Sequence, residues 1–254
     1  MYAKLAGRAM WVAGADGCPA GWLAVFRSTV GELPHARIFP TFAELVATEP
    51  ATIAVDIPVG LPKVSRRGGR HADQEARKRL GAARQSSVFP APSRATLRAT
   101  TFDEACTIEQ KHSDPPKKIS QQVFNILDKI REVDGLARQH PGLIYECHPE
   151  VSFLAMNSGV AMQLPKKVSR RKSPTGISGA GLEERRKHLV QCGYAEEFLT
   201  TRIGSAAEHG LDDLIDACAA AWTAERIFRN DGSLIVLPAR PDPDEHNVCM
   251  AIWA

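Results

Sequence analysis

The hydrophobic pattern of this chain changes period several times, and each change marks an element. Residues 10–15 form a short apolar run that stops at Asp16; Gly17, Pro19 and Gly21 punctuate a turn, and residues 22–26 resume the apolar run. That arrangement predicts two strands joined by a tight hairpin. Residues 35–39 alternate and supply a third strand. Thr41, with Glu44 three residues on, has the form of a capping box, so a short helix is expected over residues 42–48. Residues 52–55 are uniformly apolar and end at Asp56, which suits a strand covered on both faces.

Residues 63–118 are rich in Arg, Ser and Pro, with helices expected at roughly 72–80 and 101–110 and an ordered loop over residues 86–94. From 120 to 139 the period becomes helical: Val123, Ile126, Leu127, Ile130 and Val133 form one apolar stripe. A strand over 143–145 reaches Glu146, and a helix follows from about 150 to 156. Residues 158–180, rich in Gly, Ser, Pro and Lys, read as a mobile loop. Helices are then expected over 182–191, 195–201 and 211–228, the last with Leu211, Leu214, Ile215, Cys218, Ala219 and Trp222 on one face. Residues 234–237 and 248–252 read as closing strands. Three strands with short links imply an antiparallel meander, and strands separated by helices imply parallel crossovers. The expected fold is therefore α/β: a mixed sheet with helices on its faces. It forms a single domain over residues 1–254, with helical or loop insertions at about 63–118 and 157–205.

Composition narrows the class without choosing a function. The 254 residues are 44% hydrophobic and 24% charged, ordinary for a globular chain. Lys and Arg total 32 against 29 Asp and Glu, a net charge of +3, so the distribution of charge matters more than its sum. Basic residues gather at Lys63, Arg66, Arg67 and Arg70, and at Lys166, Lys167, Arg170, Arg171 and Lys172, whereas Asp212, Asp213 and Asp216 sit apart. Such separation can steer a polyanion toward a metal site; two solvated loops are the plainer reading. The six cysteines show no Cys-x-x-Cys spacing, which argues against a zinc knuckle. With no secretory signal and no apolar run long enough to span a bilayer, a cytoplasmic location and no membrane partner are expected.

The acidic residues carry the chemical argument. Asp16, Asp56 and Glu146 each end an apolar run, where a sheet holds a carboxylate rigidly. Asp213 and Asp216, three apart, share one helix face, while Asp212 serves that helix's N-terminal end. Any single Asp after a strand is more often a turn or cap residue, and Asp213 with Asp216 alone could be an ordinary exposed helix face. Gathered together they need a counter-charge, because like charges raise each other's pKa. Mg²⁺ or Mn²⁺, as one ion or two, would supply it and would activate water in phosphodiester hydrolysis.

The motifs resemble known groups. Gly14-Ala-Asp16-Gly17-Cys-Pro-Ala-Gly21-Trp22 is similar to the Asp-x-Gly hairpin of ribonuclease-H-like proteins, including Holliday-junction resolvases of the RuvC type, although here Gly follows Asp16 directly. Asp213-Leu-Ile-Asp216-Ala-Cys-Ala-Ala-Ala221 resembles their late acidic helix. Across nearly the whole chain, five blocks resemble the signatures of the family called domain of unknown function 429. They are Ala54-Val-Asp56-Ile-Pro58-Val-Gly60-Leu-Pro62, Ser86-Ser-Val-Phe89-Pro90-Ala-Pro-Ser-Arg94, Ser120-Gln-Gln-Val-Phe124-Asn125-Ile126, Lys129-Ile-Arg-Glu-Val-Asp134 and Glu146-Cys-His148-Pro149-Glu150. The resemblance implies a ribonuclease-H-like fold and a predicted nuclease. It suggests Asp16, Asp56, Glu146, Asp213 and Asp216 as metal ligands and catalytic residues. His148 joins them as a proton carrier or phosphate contact; a structural His bonding a backbone carbonyl fits equally well.

Substrate contacts are expected from Ser86, Ser87 and Arg94 around a Pro-rich loop, from Lys118, Ser120 and Gln122 at a helix start, and from Lys172. Helix capping is the competing role of Ser120. Phe89 and Phe124 could stack on bases, but buried packing is the favoured reading for both. The leading expectation is a metal-dependent nuclease or phosphodiesterase on nucleic acid. A phosphotransferase or hydrolase of phosphorylated small molecules on the same scaffold, and a non-catalytic nucleic-acid binder, are the alternatives.

Overall fold

The computed structural model describes residues 10–168, 171 and 177–254. The chain opens with strands β1 (Trp11–Cys18), β2 (Gly21–Ser28) and β3 (His35–Phe39), helix α1 (Phe42–Val46) and strand β4 (Ile53–Val55). Next come the short strand β5 (Ser65–Arg66), helices α2 (His71–Arg84) and α3 (Phe102–Lys111) and strand β6 (Ser113–Asp114). Helices α4 (Gln121–Asn125) and α5 (Leu127–Gln139) lead to β7 (Ile144–Glu146) and α6 (Pro149–Met156). The last elements are α7 (Gly179–Gln191), α8 (Glu196–Thr200), α9 (Leu211–Phe228), β8 (Val236–Pro243) and β9 (Cys249–Trp253).

Five strands form one mixed sheet in the order β3-β2-β1-β4-β7. The β1–β2–β3 meander is antiparallel, while β4 pairs parallel to β1 and β7 parallel to β4, as the strand and helix spacing predicts. Side-chain alternation then sorts the sheet into two faces. Ala13, Ala15, Trp22, Ala24, Ile53, Val55 and Ile144 pack on one face with Leu127, Ile130 and Val133 of α5. On the other face Leu23 and Val25 pack with Leu214, Ile215 and Cys218 of α9 and with Leu182 and Leu189 of α7, and Val12 and Ala54 meet Ala220 and Ala224.

The approach of α9 to β1 is unusually close. A Cβ on Gly14 would stand 1.9 Å from the Ala221 nitrogen and 2.4 Å from the Ala217 oxygen, so only Gly fits there. Ala217, Ala220 and Ala221 supply the matching shallow surface on the helix. This contact sets the height of Asp216 above the sheet.

Three local expectations are corrected. β1 does not stop at Asp16 but runs to Cys18, with Asp16 paired opposite Leu23 of β2. The helix expected over 120–139 is two helices, broken at Ile126, whose φ of −109° and ψ of 6° leave the helical region. The C-terminal strands do not close the main sheet; β8 and β9 form their own antiparallel pair, with a single bridge from Trp253 to Cys147. Among the described residues no helix is long and apolar enough to cross a membrane.

A candidate acidic cleft between two inner strands and a helix

Parallel pairing places the site. Ala15 is opposite Val55 in register, so Asp16 and Asp56 emerge side by side, and the Asp56 amide donates to the Ala15 carbonyl at 3.1 Å. Both follow the parity of the face that carries α9, since Val12, Gly14 and Ala54 lie there. Helix α9 begins above them. Its N-cap Gly210 donates its N–H to Asp213 Oδ2 at 2.7 Å, which makes Asp213 both a capping and a cleft residue. One turn on, Asp216 turns into the same cleft and is 7% exposed.

The cleft encloses about 500 Å³. Asp16, Asp56, Asp212, Asp213 and Asp216 line it together with Glu150. Arg84, Lys129, Lys166, Lys167 and His148 supply positive charge, and Ser86, Ser87, Phe89, Gln122 and Ile126 complete the wall. The carboxyls resist ionising. Burial pushes Asp16 well above the usual carboxylate range, and the charges of Asp56, Asp216 and Asp213 push it further. Burial also raises Asp56, against the pull of His148 and Lys166. It pushes Asp216 up to about 7, with Lys166 opposing and Asp56 reinforcing the shift, and it raises Asp213, opposed by the Gly210 N–H.

Glu146 is a correction. It pairs with Val55, whereas its neighbour Cys147 continues the parity of Asp56, so its side chain belongs to the opposite face of the sheet. There the Arg70 guanidinium grips both its oxygens at 2.6 and 2.7 Å, and the Val59 N–H donates to it at 2.7 Å. Arg70 also pairs with Asp73 at 2.7 Å, so this is a buried structural network that does not line the cleft.

Among the expected contact residues, Ser86, Ser87, Gln122 and His148 reach the cleft. His148 Nε2 lies 3.4 Å from the Ser87 carbonyl, while its Nδ1 is buried without a partner. Arg94 is engaged elsewhere, bonded to Asp134 and Asp244. Lys118 is exposed outside the cleft. Ser120 caps α4, accepting from the Val123 N–H at 3.3 Å. Phe124 packs edge-on against Phe102 with ring centroids 5.6 Å apart. Lys172 lies outside the described residues.

Sequence reading missed Glu150 and the special place of Lys166. Glu150 is held by Arg185 through bonds of 2.8, 2.8 and 3.0 Å. Burial works against its charge, but Lys166 and Arg185 hold its pKa below the ordinary value. Lys166 extends into the cleft, bonds Asp216 Oδ2 and lies 3.9 Å from Glu150. Its only signal in the sequence was membership of a basic run.

The donor set is all hard oxygen, as Mg²⁺ or Mn²⁺ requires. Asp16 and Asp56 make no side-chain hydrogen bond among the described residues, and Asp216 Oδ1 is buried without a partner. Yet among the described residues no three His, Cys, Asp or Glu side chains stand close enough to form a ready-made ion cage. The chemistry of the donors, though not their present spacing, suits a divalent ion.

No curated protein and no solved structure gives a match. The family model described as "Protein of unknown function (DUF429)" matches residues 14–243, a span that contains Asp16, Asp56, Glu150, Lys166, Asp213 and Asp216, and the chain belongs to that family.

Proposed function

We propose that this protein is a divalent-metal-dependent phosphodiester hydrolase acting on nucleic acid, built on a ribonuclease-H-like sheet. The observation that carries this reading is the convergence of Asp16, Asp56 and Asp216, from two adjacent parallel strands and one helix, into a single cleft. The strand order β3-β2-β1-β4-β7 supports the fold assignment.

Asp16, Asp56 and Asp216 would hold the ion, with Asp213 beside them. A bound Mg²⁺ or Mn²⁺ would lower the pKa of a water and stabilise the leaving oxygen. The protein's own groups do the rest. Lys129, Lys167 and Arg84 on the cleft wall attract the phosphate chain. Lys129 is aimed by its contact with the Trp22 ring, 4.5 Å from the centroid, and by its bond to the Gly21 carbonyl. His148, on the cleft wall, is the side chain placed to carry a proton to the departing oxygen. Phe89 and Ile126 offer apolar wall for a base.

The test is cleavage of labelled single-stranded and duplex DNA and RNA with Mg²⁺ or Mn²⁺, against a chelator control. Cleavage is expected only with the metal and should vanish in Asp16→Asn. Full activity in that variant removes this reading. The cleft volume, within the range of small-ligand sites, also favours a second reading: hydrolysis of a phosphorylated metabolite. Turnover of nucleotides or sugar phosphates with no cleavage of any polymer would select it.

A further inference from the structure

Two basic segments far apart in the sequence are brought side by side by the short β5–β6 pair. The strands run parallel, with Ser65 opposite Ser113 and Arg66 opposite Asp114. The Ser65 N–H donates to the His112 carbonyl at 2.9 Å, and Lys117 Nζ donates to the Arg66 carbonyl at 3.1 Å. Alternation buries both serines and turns the residues after them outward. Beneath them Glu109 accepts from the Ser65 hydroxyl and, at 2.7–2.9 Å, from Ser93 and Thr96, so the pair sits on a bonded floor.

The face that results is strongly positive. Residues 63–67 and 111–118 contribute Lys63, Arg66, Arg67, Lys111, Lys117 and Lys118 against the single carboxylate of Asp114, which lies 3.4 Å from Arg66. Among the described residues no carboxylate lies within ion-pair distance of Lys63, Arg67, Lys111 or Lys118, and all four are exposed. Arg70, the remaining cation of the first run, is turned into the core toward Glu146 and Asp73. The buried contacts thus hold like charges together that would otherwise repel, and a polyanion is the partner that answers them.

This shelf adjoins the acidic cleft on two sides. Arg77 donates to the Gly68 carbonyl, just after the first basic run, and at 2.9 Å to the Val88 carbonyl, next to Phe89 of the cleft wall. Gly69 packs so closely on this wall that a Cβ there would stand 2.8 Å from the Pro90 Cβ. On the other side Lys118 is four residues from Gln122, also of the cleft wall, so their Cα atoms lie within about 14 Å. The cleft itself has the volume of a small-ligand site, so a polymer entering it does so as a single strand.

We propose that the β5–β6 shelf is a binding track for the phosphate backbone of the single-stranded nucleic acid that enters the cleft. This rests on the nucleic-acid reading of the site. Residues 63–68 and 111–118 contain no aromatic side chain, so the track holds phosphates and not bases, and its affinity is electrostatic. Its four free cations contribute a slope of about −3 to log K against log salt, at about −0.7 for each phosphate of a single strand.

The test is fluorescence anisotropy of a labelled oligonucleotide of about 12 residues, titrated with the full chain across a salt series in chelating buffer. Without metal the strand is not cleaved and the acidic cleft repels it, so the shelf dominates the reading. A variant combining Lys63→Gln, Arg67→Gln and Lys111→Gln is expected to bind more weakly, with a slope shallower by about 2. Its Mn²⁺-dependent hydrolysis of bis(p-nitrophenyl) phosphate should stay at the wild-type rate. An unchanged slope in the variant overturns the proposal. So does a wild type that hydrolyses the small diester but binds no oligonucleotide, an outcome that leaves the metal-dependent cleft intact. Capture of phosphatidylserine vesicles in place of the oligonucleotide overturns it too. Salt-dependent binding that the variant loses, in a wild type with no metal-dependent hydrolysis, keeps the shelf as a nucleic-acid surface and removes the nuclease reading alone.

Discussion

At the scale of single residues, this protein puts ionisable groups where burial decides their state. Asp216 has its pKa pushed up to about 7 by burial, opposed by Lys166 and reinforced by Asp56, against about 3.9 for an Asp in an unfolded chain. The folded chain holds a proton here that the unfolded chain has already released, so stability falls as pH rises between about 4 and 7. In a chelating buffer, urea midpoints are expected to be lower at about pH 7.5 than at about pH 5, and Asp216→Asn should narrow the difference. Burial also pushes Glu146 up to about 7, with Arg70 opposing, but its partners lie in the core and not in the cleft. Glu146→Gln breaks its charge pairing with Arg70 but leaves the guanidinium on Asp73 and on the Val59 and Gly60 carbonyls, so the loss should stay below the about 3–5 kcal/mol that an uncompensated buried charge costs. Urea unfolding should read that loss, while Mn²⁺ affinity, measured by titration, stays at the wild-type value. A fall in that affinity would return Glu146 to the site. Asp16 and Asp56 were legible because each follows an apolar run. Glu146 follows one too, but its face depends on the register between β4 and β7, which periodicity within one strand does not contain.

At the scale of elements, the seat of α9 on β1 is decided by the absence of a side chain. Gly14→Ala forces a methyl group into the Ala217–Ala221 backbone. Overpacking of this kind costs on the order of 1–3 kcal/mol, and the helix must lift. Because Asp216 rides on that helix, Mn²⁺ affinity should fall as well, measured by titration on protein shown by circular dichroism to be folded. Unchanged affinity would mean that the height of α9 does not govern the site. The sequence made α9 legible through its apolar face, and β1 through its apolar run, but their separation emerges only when Gly14 and the three alanines are set opposite one another. The break at Ile126 was hidden for a related reason. Val123 lies before it, Leu127 and Ile130 after it, and all three stay buried on the same side of the sheet, so the stripe continues where the hydrogen bonding does not. Lys166 was hidden because a lysine in a stretch rich in Gly, Ser, Pro and Lys looks solvated until Ser178 is found donating to its carbonyl and Arg185 and Glu184 are found holding the backbone of Gln163 and Leu164 before it.

At the scale of the whole molecule, the two-faced sheet carries apolar packing on both sides and leaves the acidic cleft over the last residues of β1 and just past the end of β4. The C-terminal hairpin is tied back to this body by Asp244, which accepts the Leu61 N–H at 3.1 Å and bonds Arg94. Arg94 thus fastens a distant part of the chain, a role invisible in its Pro-rich loop because its partners lie 40 and 150 residues away. The parallel pairing of β1 with β4 has one more consequence. Backbone hydrogen bonding sets the spacing of Asp16 and Asp56, so they cannot drift apart to ease their repulsion. In chelating buffer, Asp16→Asn should therefore melt at a higher temperature than wild type, by differential scanning calorimetry, although it is the substitution expected to abolish cleavage. A lower melting temperature would show that the carboxylate is not a source of strain. Heat resistance and catalysis would then pull in opposite directions at this position: a search for sturdier variants that ignored activity would discard the working end of the molecule first.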